Sequence, residues 1–420
     1  MSFLQEPSQV AAVEKASSIA NGGNIKKPVD VVAILTSIMP SLQLILVEND
    51  RVANAATSIS TNIIGPAFRS KAFPENVTKS TLDLVYQLTR VAQNNKAWKK
   101  DVADAFNDPR FFSTPLPLIT SSWLPILAQW TLTDKDRLPE LLSRLSAPTT
   151  AGIMFGVGAT SARQETDRKT QLTLRRISLL LLAAPEDTFT PTLPSLSEKL
   201  VELLTATPAS SPSSTTRAEL FMLLRALLLT ISPVHLAPLW PIVTAELSAA
   251  LTSLLPDADN RDTYSNAAVL QACKLLDTLI VLAPDDFQLH AWLFVADTID
   301  AVYRPAAWSA TALTDEVAEA LAAAGTPTSR VAAHHASLPP QHPGVETPLR
   351  QPFLEPLLEA VQAGEEGADV RAMTRSELAG RVLRPFLGQL GIAAFEATYG
   401  MGAADWEACR VGLLRDLCED

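Results

Sequence analysis

Leu220, Leu223, Leu224, Leu227, Leu228 and Ile231 stand at i, i+3, i+4, i+7, i+8 and i+11, the spacing that lines apolar side chains along one face of an α-helix. Phe221, Met222 and Leu229 fill much of the remaining circumference, so this helix must be covered on more than one side. A chain built from such segments has to stack its helices in layers. From Pro28 to Tyr303 they follow one another, each about 12 to 22 residues, separated by Pro, Asp, Ser or Thr punctuation. The chain is 47% hydrophobic with only 4 Tyr and 16 Gly, so Leu and Ala carry the apolar surface in place of the residues strands prefer.

Successive helix pairs recur at about the 40-residue period of HEAT or armadillo arrays. The expected fold is all-α, a curved HEAT/armadillo-like α-solenoid of stacked antiparallel helix pairs. Its expected division is a polar segment over residues 1–27, the solenoid over 28–324 with a Ser/Pro loop at 205–216, a Pro-rich linker at 325–352, and a separate helical segment over 353–420. Ser232-Pro233 offers a hydroxyl N-cap followed by proline in the first turn. Pro284-Asp285-Asp286 puts acids at the positive end of a helix dipole. Asn107-Asp108-Pro109 ends the helix before it, and Pro241 predicts a kink or break.

Reactive chemistry finds little support. Cys273, Cys409 and Cys418 lack CxxC spacing, which implies neither a disulfide framework nor a zinc site. Gly156-Val157-Gly158 lacks the remainder of any phosphate-loop fingerprint. His334, His335 and His342 lie in the Pro-rich linker. His290 has Asp286 and Asp297 within reach on its helix and reads as a capping or bridging group, and His235 as one packed on Trp240 or bonded to a carbonyl. No serine sits in a GxSxG elbow. The expectation is no enzyme, no cofactor and no metal. The apolar runs at 177–184 and 221–231 fall short of the roughly 20 residues that span a bilayer, and a net charge of -11 excludes a broad nucleic-acid-binding surface.

The charge pattern is more informative. Between Arg69 and Lys100 seven basic residues face only Glu75 and Asp83. Lys96, Lys99 and Lys100, at i, i+3 and i+4 with Trp98 beside them, share one helix face. Such a face suits lipid phosphate groups, at about 1 kcal/mol per basic residue near an anionic membrane. Taken alone, the cluster reads first as a solvated face around a buried Trp98. Arg163, Arg168, Lys169, Arg175 and Arg176 form a second cluster, and Arg371, Arg375, Arg381 and Arg384 a third.

Three separated strings carry a family resemblance. Trp98, Lys99, Lys100, Asp108, Pro109, Phe111 and Phe112 match an AWKK-[DE]-V segment and the DPxFF that follows it. Ser232, Pro233, His235, Leu236, Leu239, Trp240 and Pro241 match SPxHLxxLWP, and Cys273, Lys274, Leu276, Asp277, Phe287, Gln288 and Trp292 match CKxLD leading into FQxxxW. In this order they resemble the C-terminal region of the Dopey family of membrane-traffic scaffolds, over about Asn62 to Tyr303.

The resemblance implies a non-enzymatic adaptor in Golgi and endosome-to-Golgi traffic, cytoplasmic and peripheral on those membranes. It implies three partners: a large scaffold of the MON family similar to Arf exchange factors, a phospholipid flippase, and membranes bearing phosphatidylinositol 4-phosphate. Trp240, Phe287, Trp292, Phe111 and Phe112 are expected as core anchors. Lys96, Lys99 and Lys100 are the first candidates for phosphoinositide contact, with Arg168, Lys169, Arg175 and Arg176 next. The alternatives are a general α-solenoid receptor for peptides or cargo, or a homodimerisation module, with no direct membrane contact.

Overall fold

The computed structural model describes residues 31–145, 159–205, 214–296, 312–326, 349–364, 369–400 and 402–418. Residues 1–27, most of the 205–216 loop and of the 325–352 linker, and Asp297 lie outside them. Among the described residues the structure is helical, with one isolated bridge between Arg350 and Ala404. The main helices are α1 (Val31–Ile38), α2 (Leu42–Leu46), α3 (Asn49–Ile59), α4 (Lys79–Val91), α5 (Lys96–Asn107), α6 (Leu124–Thr133), α7 (Arg137–Ser143), α8 (Ala159–Ala183) and α9 (Leu193–Leu204). There follow α10 (Ser214–Thr230), α11 (Trp240–Thr252), α12 (Asn266–Leu282), α13 (Asp285–Ala291), α14 (Leu313–Ala323), α15 (Leu354–Gly364), α16 (Arg384–Tyr399) and α17 (Trp406–Cys418).

Helices α4, α6, α8, α10 and α12 form an inner row in which each packs on the next. Side-chain bonds fix their direction. Gln171 Nε2 meets Thr215 Oγ1 at 3.0 Å, Arg175 Nε meets Glu219 Oε1 at 2.9 Å and Arg225 Nη1 meets Gln271 Oε1 at 2.9 Å, with sequence offsets of 44, 44 and 46. A nearly constant offset means parallel helices in register, which is the signature of a stacked repeat. The all-α array expected from the leucine spacing is therefore present. In α10 the residues Thr216 to Leu228 are all buried, as its apolar circumference requires.

Aromatic side chains fill the first layers, with Phe111 and Trp123 centroids 5.0 Å apart, Phe68 and Trp123 5.3 Å, and Phe106 and Trp130 5.9 Å. Most sequence-level breaks fall where the chemistry placed them. Asp108 ends α5 and accepts from Arg110 N at 2.8 Å to start the next turn, and α13 begins at Asp285 behind Pro284. The break near Pro241 occurs one step earlier. A 3-10 turn over Ala237–Leu239 precedes α11, which takes Pro241 into its first turn. Ser232 is the expected N-cap residue, but its hydroxyl bonds no helix N–H. Its backbone N–H donates to Asp187 instead, at 2.8 Å.

Two features go beyond what the sequence shows. The stretch Pro233–Thr252, passed over among the apolar runs, is 20 residues long and apolar enough to cross a bilayer. Here it is broken by the 3-10 turn and buries Trp240, Val243, Leu247 and Leu251 in the core. The C-terminal segment, whose packing on the array the sequence leaves open, docks on it. Helix α16 packs on α14 and α12, and α17 lies across α10 and α8, with Leu413, Leu414 and Leu417 buried in the common core. Arg350 N donates to Ala403 O at 2.8 Å, and Asp405 N to Arg350 O at 2.9 Å, pinning the start of this segment to its end.

Candidate interaction surface

Parallel inner helices place all their C-terminal ends on one edge of the array. Several bonds locate that edge. Lys99 Nζ, in the first turn of α5, donates to Thr133 O at the end of α6 at 3.2 Å. Asp187 N, just past α8, donates to Thr230 O at the end of α10 at 3.0 Å. The ends of α6, α8 and α10 converge on a groove of about 470 Å³ whose wall includes Leu132, Ala184, Leu229 and Arg410. With neighbouring helix axes 8–10 Å apart, the edge from α4 to α12 is about 35–40 Å long.

Charge is unevenly spread along it, with Asp134 and exposed Asp136 just past Thr133. At the α4 end, Arg90, Lys96 and Lys100 are exposed, Lys96 and Lys100 one helical turn apart. Lys99 is only partly exposed and lies 5.8 Å from the ring centroid of Trp98, which is fully buried and donates Nε1–H to Ala92 O at 2.8 Å. Just past α8, Glu186 is exposed and Asp187 half-buried, and at the α12 end Asp285 is exposed and Asp286 half-buried. The Ser232 N–H, followed by its hydroxyl, holds the Asp187 carboxyl below the usual carboxylate range. Asp286 accepts from Trp240 Nε1 at 3.3 Å. Asp286 thus engages Trp240, and His235 is exposed beside Asp187.

The acidic end also carries apolar side chains. Trp240 and Phe287 are buried with ring centroids 6.0 Å apart, and Phe111 and Phe112 are buried too, as core anchors should be. Trp292 is not, since 70% of it is exposed, next to Leu289 at 73%. A helix of seven residues has room for one buried stripe, and in α13 Phe287 takes it. The family pattern had grouped Trp292 with the anchors because spacing alone does not say which aromatic faces inward.

The second basic cluster divides. Arg168 is exposed, and Lys169 is exposed with Glu165 3.4 Å away. Arg175 reaches Glu219 and, at 3.4 Å, the carbonyl of Leu417. Arg176 is buried, and its guanidinium donates to the carbonyls of Phe106, Asn107 and Asp108 at 2.7, 2.9 and 3.3 Å, closing the C-terminus of α5. Burial pulls its pKa down to about 10. Lys96 begins α5 and Arg176 ends it, roughly 16 Å away along a 12-residue helix, so the two clusters do not merge into one positive face. In the third cluster, Arg375 donates to the carbonyls of Arg261 and Tyr264, and Arg381 lies 4.0 Å from Glu377.

A cavity of about 210 Å³ lies between α12, α15 and α17, ringed by titratable groups that include Lys274, Asp277, Glu355, Glu359 and Arg415. All but Asp277 neutralise one another. Asp416 meets Arg225 Nη1 and Lys274 Nζ at 2.5 Å each, Lys274 meets Glu355 at 2.8 Å, and Arg415 meets Glu355 and Glu359 at 3.0 and 2.9 Å. Burial raises Asp277 to about 6 although the Leu354 N–H, 2.9 Å away, and the Phe353 N–H pull the other way. Burial pushes the Cys409 thiol up to about 12 and that of Cys273 further, so neither offers a thiolate near neutral pH. The arrangement clamps α15 and α17 onto α12. Nothing in the sequence pairs Asp416 with Arg225 across 191 positions.

The family model described as DOP1 C-terminal matches residues 3–400. The chain is 46% identical to Protein dop1 of Emericella nidulans over 419 residues, 99% of this chain and 21% of that relative. It is 25% identical to Protein DOP1 of Saccharomyces cerevisiae over 378 residues, 88% of this chain and 20% of the relative, and 24% identical to Protein DOP1B of Mus musculus over 320 residues, 68% and 13%. The chain thus spans about a fifth or less of the length of these relatives. No solved structure matches it.

Proposed function

This chain belongs to the DOP1 C-terminal family, and from that premise we propose that it is a non-enzymatic scaffold of Golgi and endosome-to-Golgi membrane traffic that works from the cytoplasmic surface of those membranes. The cationic end of the edge, Lys96 and Lys100 with Arg90 beside them and Lys99 behind, rests on an anionic bilayer bearing phosphatidylinositol 4-phosphate. Arg168 and Lys169 add a second, weaker point of attraction, while Arg175 and Arg176 are engaged inside the array. The acidic end, with Leu289 and Trp292 exposed beside Asp285 and Asp286, carries the protein partner, a MON-family scaffold similar to Arf exchange factors. A phospholipid flippase joins the same assembly.

The observation that supports this reading is the exposed cationic cluster at one end of the edge: a chain of net charge -11 still presents lysines that pair with no acid among the described residues. Opposite charge at the two ends lets one platform hold a bilayer and a basic protein surface at once. Flotation on vesicles with and without phosphatidylinositol 4-phosphate tests the lipid half. Equal recovery on both, unchanged by Lys96→Glu with Lys100→Glu, refutes it. Capture of the exchange-factor-like scaffold tests the other half and should be lost in Leu289→Ser with Trp292→Ser.

A further inference from the structure

The segment α1–α2, one apolar helical stretch over Val31–Leu46, carries no charged residue from Val31 to Val47 and has two apolar stripes where a core-packing helix has one. Val32, Leu35 and Met39 turn toward α4 and the core. Val31, Ile34 and Ile38 form the other stripe and are 59%, 45% and 40% exposed. In and just after α2, Leu44, Ile45 and Val47 are 83%, 60% and 81% exposed. Six of the fifteen large exposed hydrophobics among the described residues therefore fall within 17 consecutive positions. A concentration of that kind marks an interaction site.

Two further observations say what covers it. Gln43 Nε2 donates to Val91 O at 3.4 Å, and Asn95 Nδ2 to Ala53 O and Thr57 Oγ1 at 3.0 and 2.8 Å. The apolar tip thus lies against the turn that carries Arg90 and Lys96, with Glu48, the acid next to it, paired to Arg51 at 2.9 Å. Val47 itself has φ 54°, a backbone conformation that β-branched residues rarely adopt and that persists at functional sites. It holds an isopropyl group outward into solvent.

We propose that the α1–α2 tip, Leu44, Ile45 and Val47, inserts into the acyl-chain boundary of an anionic bilayer while Arg90, Lys96 and Lys100 hold its headgroups. This deepens the lipid half of the proposed function and rests on it. Charge gives a salt-sensitive attraction and insertion a salt-resistant one, and stable peripheral attachment takes two such signals. An uncharged apolar tip flanked by cations is suited to a bilayer boundary, where both kinds of contact are available within one headgroup depth.

The test is flotation of the 420-residue chain on phosphatidylserine-containing and on neutral phosphatidylcholine vesicles, at low salt and at roughly 1 M salt, where screening acts within about 3 Å. Wild type should keep a salt-resistant bound fraction on anionic vesicles. Leu44→Ser with Ile45→Ser and Val47→Ser should lose it, with low-salt affinity down about tenfold or more. Val47→Gly should weaken binding without lowering the thermal midpoint, because glycine adopts positive φ freely. If wild-type binding disappears at high salt, and the serine variant matches wild type at low salt while Lys96→Glu with Lys100→Glu still abolishes binding, insertion is refuted and the electrostatic contact stands. If wild type ignores anionic vesicles at low salt, the underlying lipid reading fails. If the serine variant changes only self-association, a second copy covers the tip and the proposal is wrong.

Discussion

Replacing Asp416 by Ala should loosen the C-terminal helix from the array. Its carboxylate bridges Arg225 and Lys274, and the three side chains are 10%, 5% and 9% exposed. Burial alone would raise the Asp416 pKa, but the two cations outweigh it and hold the group below its usual range, so it is ionised at neutral pH. Removing one partner of a buried ion pair costs about 3–5 kcal/mol, because the remaining charge is left without compensation. Lys274 would keep Glu355 at 2.8 Å and Arg225 would keep Gln271 at 2.9 Å, which places the cost near the lower figure, about 3 kcal/mol.

At 1.36 kcal/mol per decade, that loss amounts to roughly a hundredfold fall in amide-exchange protection across α17. Exchange measured by mass spectrometry should show the fall in Trp406–Cys418 first, with α4 and α5 unchanged. A change below about threefold in α17 would refute the reasoning, since the buried bridge would then contribute almost nothing to docking.

Asp277→Asn tests the cavity. With its folded pKa near 6 and an unfolded value near 3.9, the wild-type folded state binds the extra proton between about pH 4 and 6, so its stability falls as pH rises through that window, by about 3 kcal/mol in all. The Asn variant lacks this slope, and urea titrations at several pH values should show the difference growing from pH 4 and level above pH 7. Arg176→Ala should cost about 2–4 kcal/mol through the lost carbonyl bonds of α5, read by the same titrations, with vesicle binding at low salt unchanged. Trp98→Ala should cost about 3–5 kcal/mol, whereas Trp292→Ala should stay within about 0.5 kcal/mol and act on partner capture alone.

The leucine spacing of α10 and the proline and acid punctuation made the helical layers legible, because those signals are local. The C-terminal segment was not legible as part of the array: beside its buried leucines, what ties it down is a set of charges brought together from α10, α12, α15 and α17, and no short-range pattern encodes such a meeting. At the candidate surface, the spacing of Lys96 and Lys100 was informative since exposure and helix face follow from sequence together. Arg176 was not separable from Arg168 by the same logic, as the difference lies in whether the C-terminus of another helix stops beside it. Trp292 and Phe287 have the same composition signal and opposite burial. The α1–α2 tip did leave a trace, a charge-free run with apolar residues on two helical faces, which marks either deep burial or an unpartnered face.

The most direct test of an edge with a bilayer at one end and a protein at the other is a hydrogen-exchange footprint of the chain bound to vesicles containing phosphatidylinositol 4-phosphate. Protection should rise around 42–47 and 90–100 and stay unchanged over 285–292. Protection confined to the acidic end, or to the α8 segment around Arg168, would contradict the account.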